Sequence, residues 1–172
     1  MYHDILYPTD GSDGSKAAAE HVRELASAFD ATVHVLCVAD TRHAGIGMSG
    51  AFLAEDGAAL SEDPAEGAEG GTVGEYTDTN ERRNAILEHG EGIVEEAAAA
   101  LGDVETTTAV ESGNPHAVIL EYADANDVDL IVMGTHGRTG VERYLLGSVT
   151  EKVVRLADPP VVTVRADGST SE

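Results

Sequence analysis

Five short apolar runs punctuate the chain: Ile5 to Tyr7, Thr32 to Val38, Val104 to Val110, Leu130 to Met133 and Val161 to Val164. All have the length of strands, and Leu130-Ile131-Val132-Met133 contains no polar position, which suits a strand covered on both faces. Between the runs the apolar spacing becomes helical. Ala18, Val22, Leu25, Ala26 and Phe29 fall on one helix face, after a Ser/Asp/Gly cluster able to cap an N-terminus. Leu87, Val94, Ala97, Ala98 and Leu101 repeat the pattern, weakened by Gly90 and Gly92. Asn114-Pro115 is a cap followed by a first-turn proline, leading into Val118, Ile119, Tyr122 and Ala123. A last helix is expected from Ser148, turning Val149, Val153 and Leu156 inward. Strands alternating with helices imply βαβ units, hence an α/β fold: a doubly wound, open, parallel five-stranded sheet with helices on both faces.

One stretch breaks this rhythm. From about residue 40 to residue 80 the chain is rich in Gly, Ala, Glu and Asp without a sustained apolar period, and it reads as a mobile, lid-like insertion. The rest fits a single domain over residues 1–166, followed by a disordered tail at 167–172.

Charge changes the picture more than length does. Thirty-two acidic residues face ten basic ones, and Lys16 and Lys152 are the only lysines, giving a formal charge of -22. Duplex DNA and anionic membranes are disfavoured as partners. The carboxylates are spread among regular apolar periods rather than gathered in a tail, which points to a solvated halophilic surface. The one cysteine, Cys37, lies within an apolar run and reads as a buried small hydrophobe in a reducing compartment. No basic leader precedes the first run and no 18 apolar residues occur in succession, so a cytoplasmic protein is expected.

Candidate chemistry gathers after the fourth strand. It runs into Gly134-Thr135-His136-Gly137-Arg138 and, after nine intervening residues, Gly147-Ser148 opens the last helix. Glycines let the backbone approach an anion, and a helix start offers unpaired N–H groups with a partial positive charge, so this is a phosphate cradle. It is not a Walker loop, since no Gly-Lys-Ser/Thr follows. Nor is it a dinucleotide fingerprint, since His136 stands where the second glycine would be.

The spacing G-x2-G-x9-G-[S/T] after a buried strand resembles the ATP-binding signature of the universal stress protein family. The opening Ile5-Leu6-Tyr7-Pro8-Thr9-Asp10-Gly11-Ser12 and the ending Pro159-Pro160-Val161-Val162-Thr163-Val164 resemble that family too. The resemblance implies strand order 3-2-1-4-5, with ATP, accompanied by Mg²⁺, at the carboxyl ends of strands 1 and 4. Asp10 would contact ribose, beside Pro8 and Thr9. Adenine would meet the backbone near Val38, with Met133 close by. Gly134, His136, Gly137 and Arg138, together with Gly147, Ser148, Val149 and Thr150, would hold the phosphates. The resemblance further implies a homodimer through the C-terminal edge strand, Pro160 to Val164.

Plainer roles stand beside these. Ser148-Val149-Thr150-Glu151 fits a capping box. Asp10 fits a turn residue or the cap of the first helix. His136 fits an exposed loop histidine, and Arg138 and Arg143 fit surface charges. The remaining histidines lack metal-ligand spacing and read as structural. With no Ser/His/Asp arrangement and no catalytic lysine beside the cradle, the expected function is ATP binding in a regulatory or stress-response role, with at most slow hydrolysis. Two alternatives are a dimeric interaction module without nucleotide and a nucleotidyl-transfer or ATP-pyrophosphatase enzyme. The last lacks a Ser-Gly-Gly start and a His-x-Gly-His.

The charge generates a prediction of its own. Carboxylates outnumber cations more than threefold, so the melting temperature should rise between about 0.1 M and about 3 M KCl as screening sets in. An unchanged melting curve across that range would contradict a salt-adapted surface.

Overall fold

The computed structural model describes residues 1–40, 75–136 and 146–166. The order of elements is β1 (Asp4–Pro8), α1 (Asp13–Phe29), β2 (Thr32–Asp40), α2 (Glu75–Ala100), β3 (Thr106–Gly113), α3 (Pro115–Ala125), β4 (Leu130–Gly134), α4 (Ser148–Leu156) and β5 (Val161–Val164). The strands form one parallel sheet in the order β3-β2-β1-β4-β5. Fold class and strand order are those expected from the sequence.

Alternation along the strands divides the core in two. Ile5, Tyr7, Val33, Val35 and Cys37 face α1 and α2, where Ala18, Val22, Ala26, Ile93 and Val94 meet them. Leu6, Leu36, Ile131 and Met133 face α3 and α4, against Ile119, Ala123 and Val153. All of β4 is buried, as a strand with helices on both sides must be. Gly90 has a packing reason inside α2. A Cβ there would lie 2.7 Å from Cγ1 of Val110, so the helix can approach the sheet only through a glycine.

Several boundaries differ from expectation. β3 begins at Thr106 rather than Val104 and runs on to Gly113, because its partner β2 continues to Asp40 and supplies a ladder that far. Its side chains are mostly half-buried or exposed, so the apolar pattern was a poor guide to its ends. α2 begins at Glu75, so the last residues of the 40–80 stretch are helical; residues 41–74, with most of the expected insertion, lie outside the described residues, as does the tail at 167–172. Leu156 is 58% exposed instead of buried. The inward position after Val153 falls to Ala157, one helical turn on, and Ala157 packs on the core.

Local bonds fix the joints. The Asp129 carboxylate accepts from the backbone N–H of His3 (2.7 Å) and Asp4 (3.2 Å), which holds its carboxyl below the usual range and ties the start of β1 to the start of β4. At the other end of β1, the buried Tyr7 hydroxyl donates to the carbonyl of Ser15 in α1 at 2.7 Å.

Burial pushes the Tyr7 phenol up from 10.0 to about 12. A raised folded-state value means the contribution to stability is complete below pH 10 and is lost as pH climbs through about 12. Absorbance titration should therefore show one tyrosine ionising last, and Tyr7→Phe should abolish that phase while costing about 1 kcal/mol of stability. A normal titration of all tyrosines in the folded protein would refute this.

Candidate functional site

The carboxyl ends of β1 and β4 lie next to one another at the centre of the sheet, where the chain order reverses direction across the sheet. Such a switch point is where α/β sheets bind ligands. β1 pairs with β4 through Ile5 and Leu6 but with β2 through five residues, out to Pro8, so contact with β4 is concentrated in the first half of β1.

After β1 the chain is held by its own hydroxyls. The N–H of Thr9 donates to the carbonyl of Leu36 (2.8 Å), continuing the strand by one bond. The hydroxyl of Thr9 donates to that of Ser15 (3.1 Å), and the hydroxyl of Ser15 donates to the carbonyl of Ser12 (2.9 Å). Asp10 receives the N–H of Ser12 at 3.0 Å and also its hydroxyl. That is the turn role foreseen for Asp10; the cap of α1 is Ser12. Gly11 supplies the positive φ of +75° that the turn needs.

The start of α1 rests directly on the end of β4. A Cβ on Gly14 would collide with the carbonyl oxygen of His136 and lie 3.1 Å from its carbonyl carbon. Reciprocally, a Cβ on Gly134 would overlap the Gly14 carbonyl and lie 3.0 Å from the nitrogen of Ser15. Two glycines thus let two backbones touch. Sequence reasoning assigned Gly134 to a ligand and passed over Gly14; the signal available was the second Asp-Gly-Ser of the run Asp10 to Ser15.

The start of α4 closes the other side. Its N-cap is Gly147, which makes no side-chain cap bond, so the capping box expected at Ser148 does not form and Ser148 is the first helical residue, with an exposed side chain. The N–H of Gly147 donates to the carbonyl of Thr135 (2.8 Å), and the first helical bond runs from Glu151 to Gly147 (2.9 Å). The N–H groups of Ser148, Val149 and Thr150 therefore have no partner within the helix. Thr150 is buried, its hydroxyl donating to the carbonyl of Gly134 (2.9 Å), so its N–H is what it has left to offer. His136 is half-buried rather than exposed, with Nδ1 3.0 Å from the Thr135 hydroxyl.

Of the residues named from the sequence, Pro8, Thr9, Asp10, Gly134, His136, Gly147, Ser148, Val149 and Thr150 converge on this edge, and Val38 and Met133 lie on the sheet face beneath α3 and α4. Gly137, Arg138 and Arg143 lie outside the described residues. A concavity of about 520 Å³ sits at the opposite end of β4 and β5. It is rimmed by Asp124, Asp127, Asp129 and Asp158, a setting hostile to an anion. Among the described residues no cluster of three or more His, Cys, Asp or Glu side chains is placed to hold a metal, and no helix is long and apolar enough to cross a membrane.

Two polar atoms at the neighbouring β3–α3 turn, Oδ1 of Asn114 and Nδ1 of His116, are shielded from water and have no hydrogen-bond partner. Leaving such a group unpaired costs about 1–3 kcal/mol. Asn114 is the N-cap of α3, as the sequence suggested, yet its side chain makes no cap bond.

Comparison with known proteins bears on the whole chain. It is 36% identical over 165 residues to universal stress protein MJ0531 of Methanocaldococcus jannaschii, covering 96% of this chain and 83% of the relative. It is 33% identical over 171 residues to MJ0577 of the same organism, covering 98% of each. The solved structure of MJ0577 superposes with a TM-score of 0.75, over 98% of this chain and 99% of that one. A universal stress protein crystallised in complex with cAMP shares the fold at 23% identity, with a TM-score of 0.58 over 96% of this chain and 98% of that one. The model of the universal stress protein family matches residues 1–165. With the family model matching nearly the whole chain and two relatives above 30% identity over almost its full length, this protein belongs to the universal stress protein family.

Proposed function

We propose that this chain is an ATP-binding regulatory or stress-response protein that signals nucleotide occupancy through its conformation, with at most slow hydrolysis. The observation that carries the reading is the start of α4: a cap residue without a side chain and three N–H groups without helical partners, set beside the end of a buried parallel strand. That is a fitting place for phosphate oxygens, because N–H donors and the positive end of the helix dipole act together. Gly137 and Gly147 would let the backbone close on the phosphates, Gly134 bringing β4 against α1 beside them, with Asp10 at the ribose and Val38 and Met133 toward adenine. The family includes a member crystallised with cAMP, which favours a nucleotide over other anions.

Electrostatics limit how the ligand is held. A protein of net charge -22 repels ATP, so Mg²⁺ carried on the phosphates, Arg138, Arg143 and the helix start would have to offset that locally. We place the protein in a salty cytoplasm, where screening also eases the approach.

We propose in addition a homodimer through β5. This strand ends the sheet, and Val162 (37%), Val154 (44%) and Leu156 (58%) are exposed on or next to it. An uncovered edge beside apolar side chains invites a second strand.

Two tests follow. Calorimetric titration with ATP in molar KCl should show binding, with affinity lowered at least ~100-fold in Gly137→Val and ~10-fold in Gly14→Ala, where the loop is pushed off α1. Gly90→Ala, strained by Val110 but remote from the loop, should lower the melting temperature and leave ATP affinity unchanged. No binding by the wild type would instead favour an interaction module without nucleotide. In light scattering the chain of 17.8 kDa should run at twice that mass, and Val162→Asp should return it to the monomer; a wild-type monomer in high salt would refute the dimer.

A further inference from the structure

The concavity at the starts of β4 and β5 gathers negative charge that no side chain among the described residues relieves. Asp124, Asp127, Asp129 and Asp158 rim it, and no basic residue is described along its lining. Two helices also end there, α3 at Ala125 and α4 at Leu156, and a helix carboxyl end carries a partial negative charge of its own. α3 has no basic residue in its last turn, and Arg155 in the last turn of α4 is turned to Glu151. Part of the lining is apolar, with the exposed Leu156 and Pro159 side by side in it. Such a hollow suits a cation on an apolar stem, which is what an arginine side chain is.

The edge strand shows where such an arginine can come from. In the ladder between β4 and β5 the carbonyls of Pro160 and Val164 accept from the N–H groups of Ile131 and Thr135. By the alternation of a strand, residues 161, 163 and 165 then turn their own N–H and C=O groups outward from the sheet. Val161 packs on the α3 and α4 side of the sheet, Val164 on the other. The same alternation carries Arg165 to the side of α3 and α4, which is the side that bears the concavity. Arg165 directly follows β5, is exposed and has no partner among the described residues.

Two identical edges pair about a two-fold axis, which makes the strands antiparallel and keeps like faces of the two sheets together. The register that engages every outward group sets Thr163 against its own counterpart. It sets Arg165 against the partner subunit's Val161, with Cα atoms about 5.5 Å apart. The partner subunit's Asp158 stands three residues ahead of that valine, at most about 10 Å along the chain. Arginine and aspartate side chains extended toward each other span that gap.

We infer that the concavity is the docking site for Arg165 of a second copy, whose guanidinium pairs with Asp158 and whose stem lies against Leu156 and Pro159. The inference rests on the β5 dimer proposed above and adds to it a charged contact made twice, once in each direction across the axis. Two chains of net charge -22 repel one another, so opposite charges at the contact favour this approach over others.

Sedimentation equilibrium of the full chain in molar KCl reads the dimer Kd directly. Arg165→Glu and Asp158→Arg each set like charges together at both ends of the interface and should raise that Kd at least ~10-fold. Combined in one chain they reverse the pair and should bring the Kd back to within ~3-fold of the wild type. Both side chains are exposed, so the melting temperature of each variant should stay near that of the wild type. Unchanged dimerisation in both single variants overturns the inference, as does a double variant as weak as the two losses added. A monomeric wild type, or a dimer that survives Val162→Asp, overturns the β5 dimer itself and this inference with it.

Discussion

The architecture of the proposed site depends on a contact in which no side chain takes part. Gly14 at the start of α1 and Gly134 at the end of β4 meet backbone to backbone, with the carbonyl of His136 against Gly14. Everything near the switch point is built around that approach. The hydroxyl chain from Thr9 through Ser15 to Ser12 shapes the first turn of α1 so that it can be reached, and the Tyr7 hydroxyl anchors the same turn from below. A single methyl group at either glycine would separate the two loops that the sheet brings together. Steric room, rather than a strong bond, is the controlling quantity.

Much of this was legible in the sequence, and the reasons differ by element. β4 could be read because a strand buried on both faces is uniformly apolar, and β5 because two prolines precede it and its run ends cleanly. The ends of β3 could not, since an edge strand with half-exposed side chains carries little pattern and takes its length from β2. Leu156 was misplaced because a helical period fixes a face only while the helix lasts; at its last residue the inward position passes to Ala157. Ser148 fitted a capping box by composition, but the cap fell one residue earlier, on a glycine. Gly14 was hard to read for a different reason: a glycine tolerated in a first helical turn looks much the same in sequence as one required by the backbone of Gly134 and His136, and only the packing of α1 on β4 separates them.

Charge and fold make opposing demands here. The acidic surface disfavours any anion, and Asp10, Asp13 and Glu151 carry it up to the site, yet the start of α4 also offers backbone donors there. The densest acidic rim described bounds the concavity at the far end of the strands, with Asp124, Asp127, Asp129 and Asp158. Backbone N–H groups keep their polarity whatever side chains a salty solvent favours. A site made from them can persist while the surface around it becomes acidic.

The hydrogen bonds of Thr135 carry a mechanical consequence. Its carbonyl holds the N–H of Gly147 at the start of α4, and its own N–H is held by the carbonyl of Val164 at the end of β5. The helix start and the sheet edge are therefore springs in series through one residue. A displacement of either by more than those two bonds can stretch must move the other, so the place where an anion would sit and the place where a second molecule would add share a single hinge.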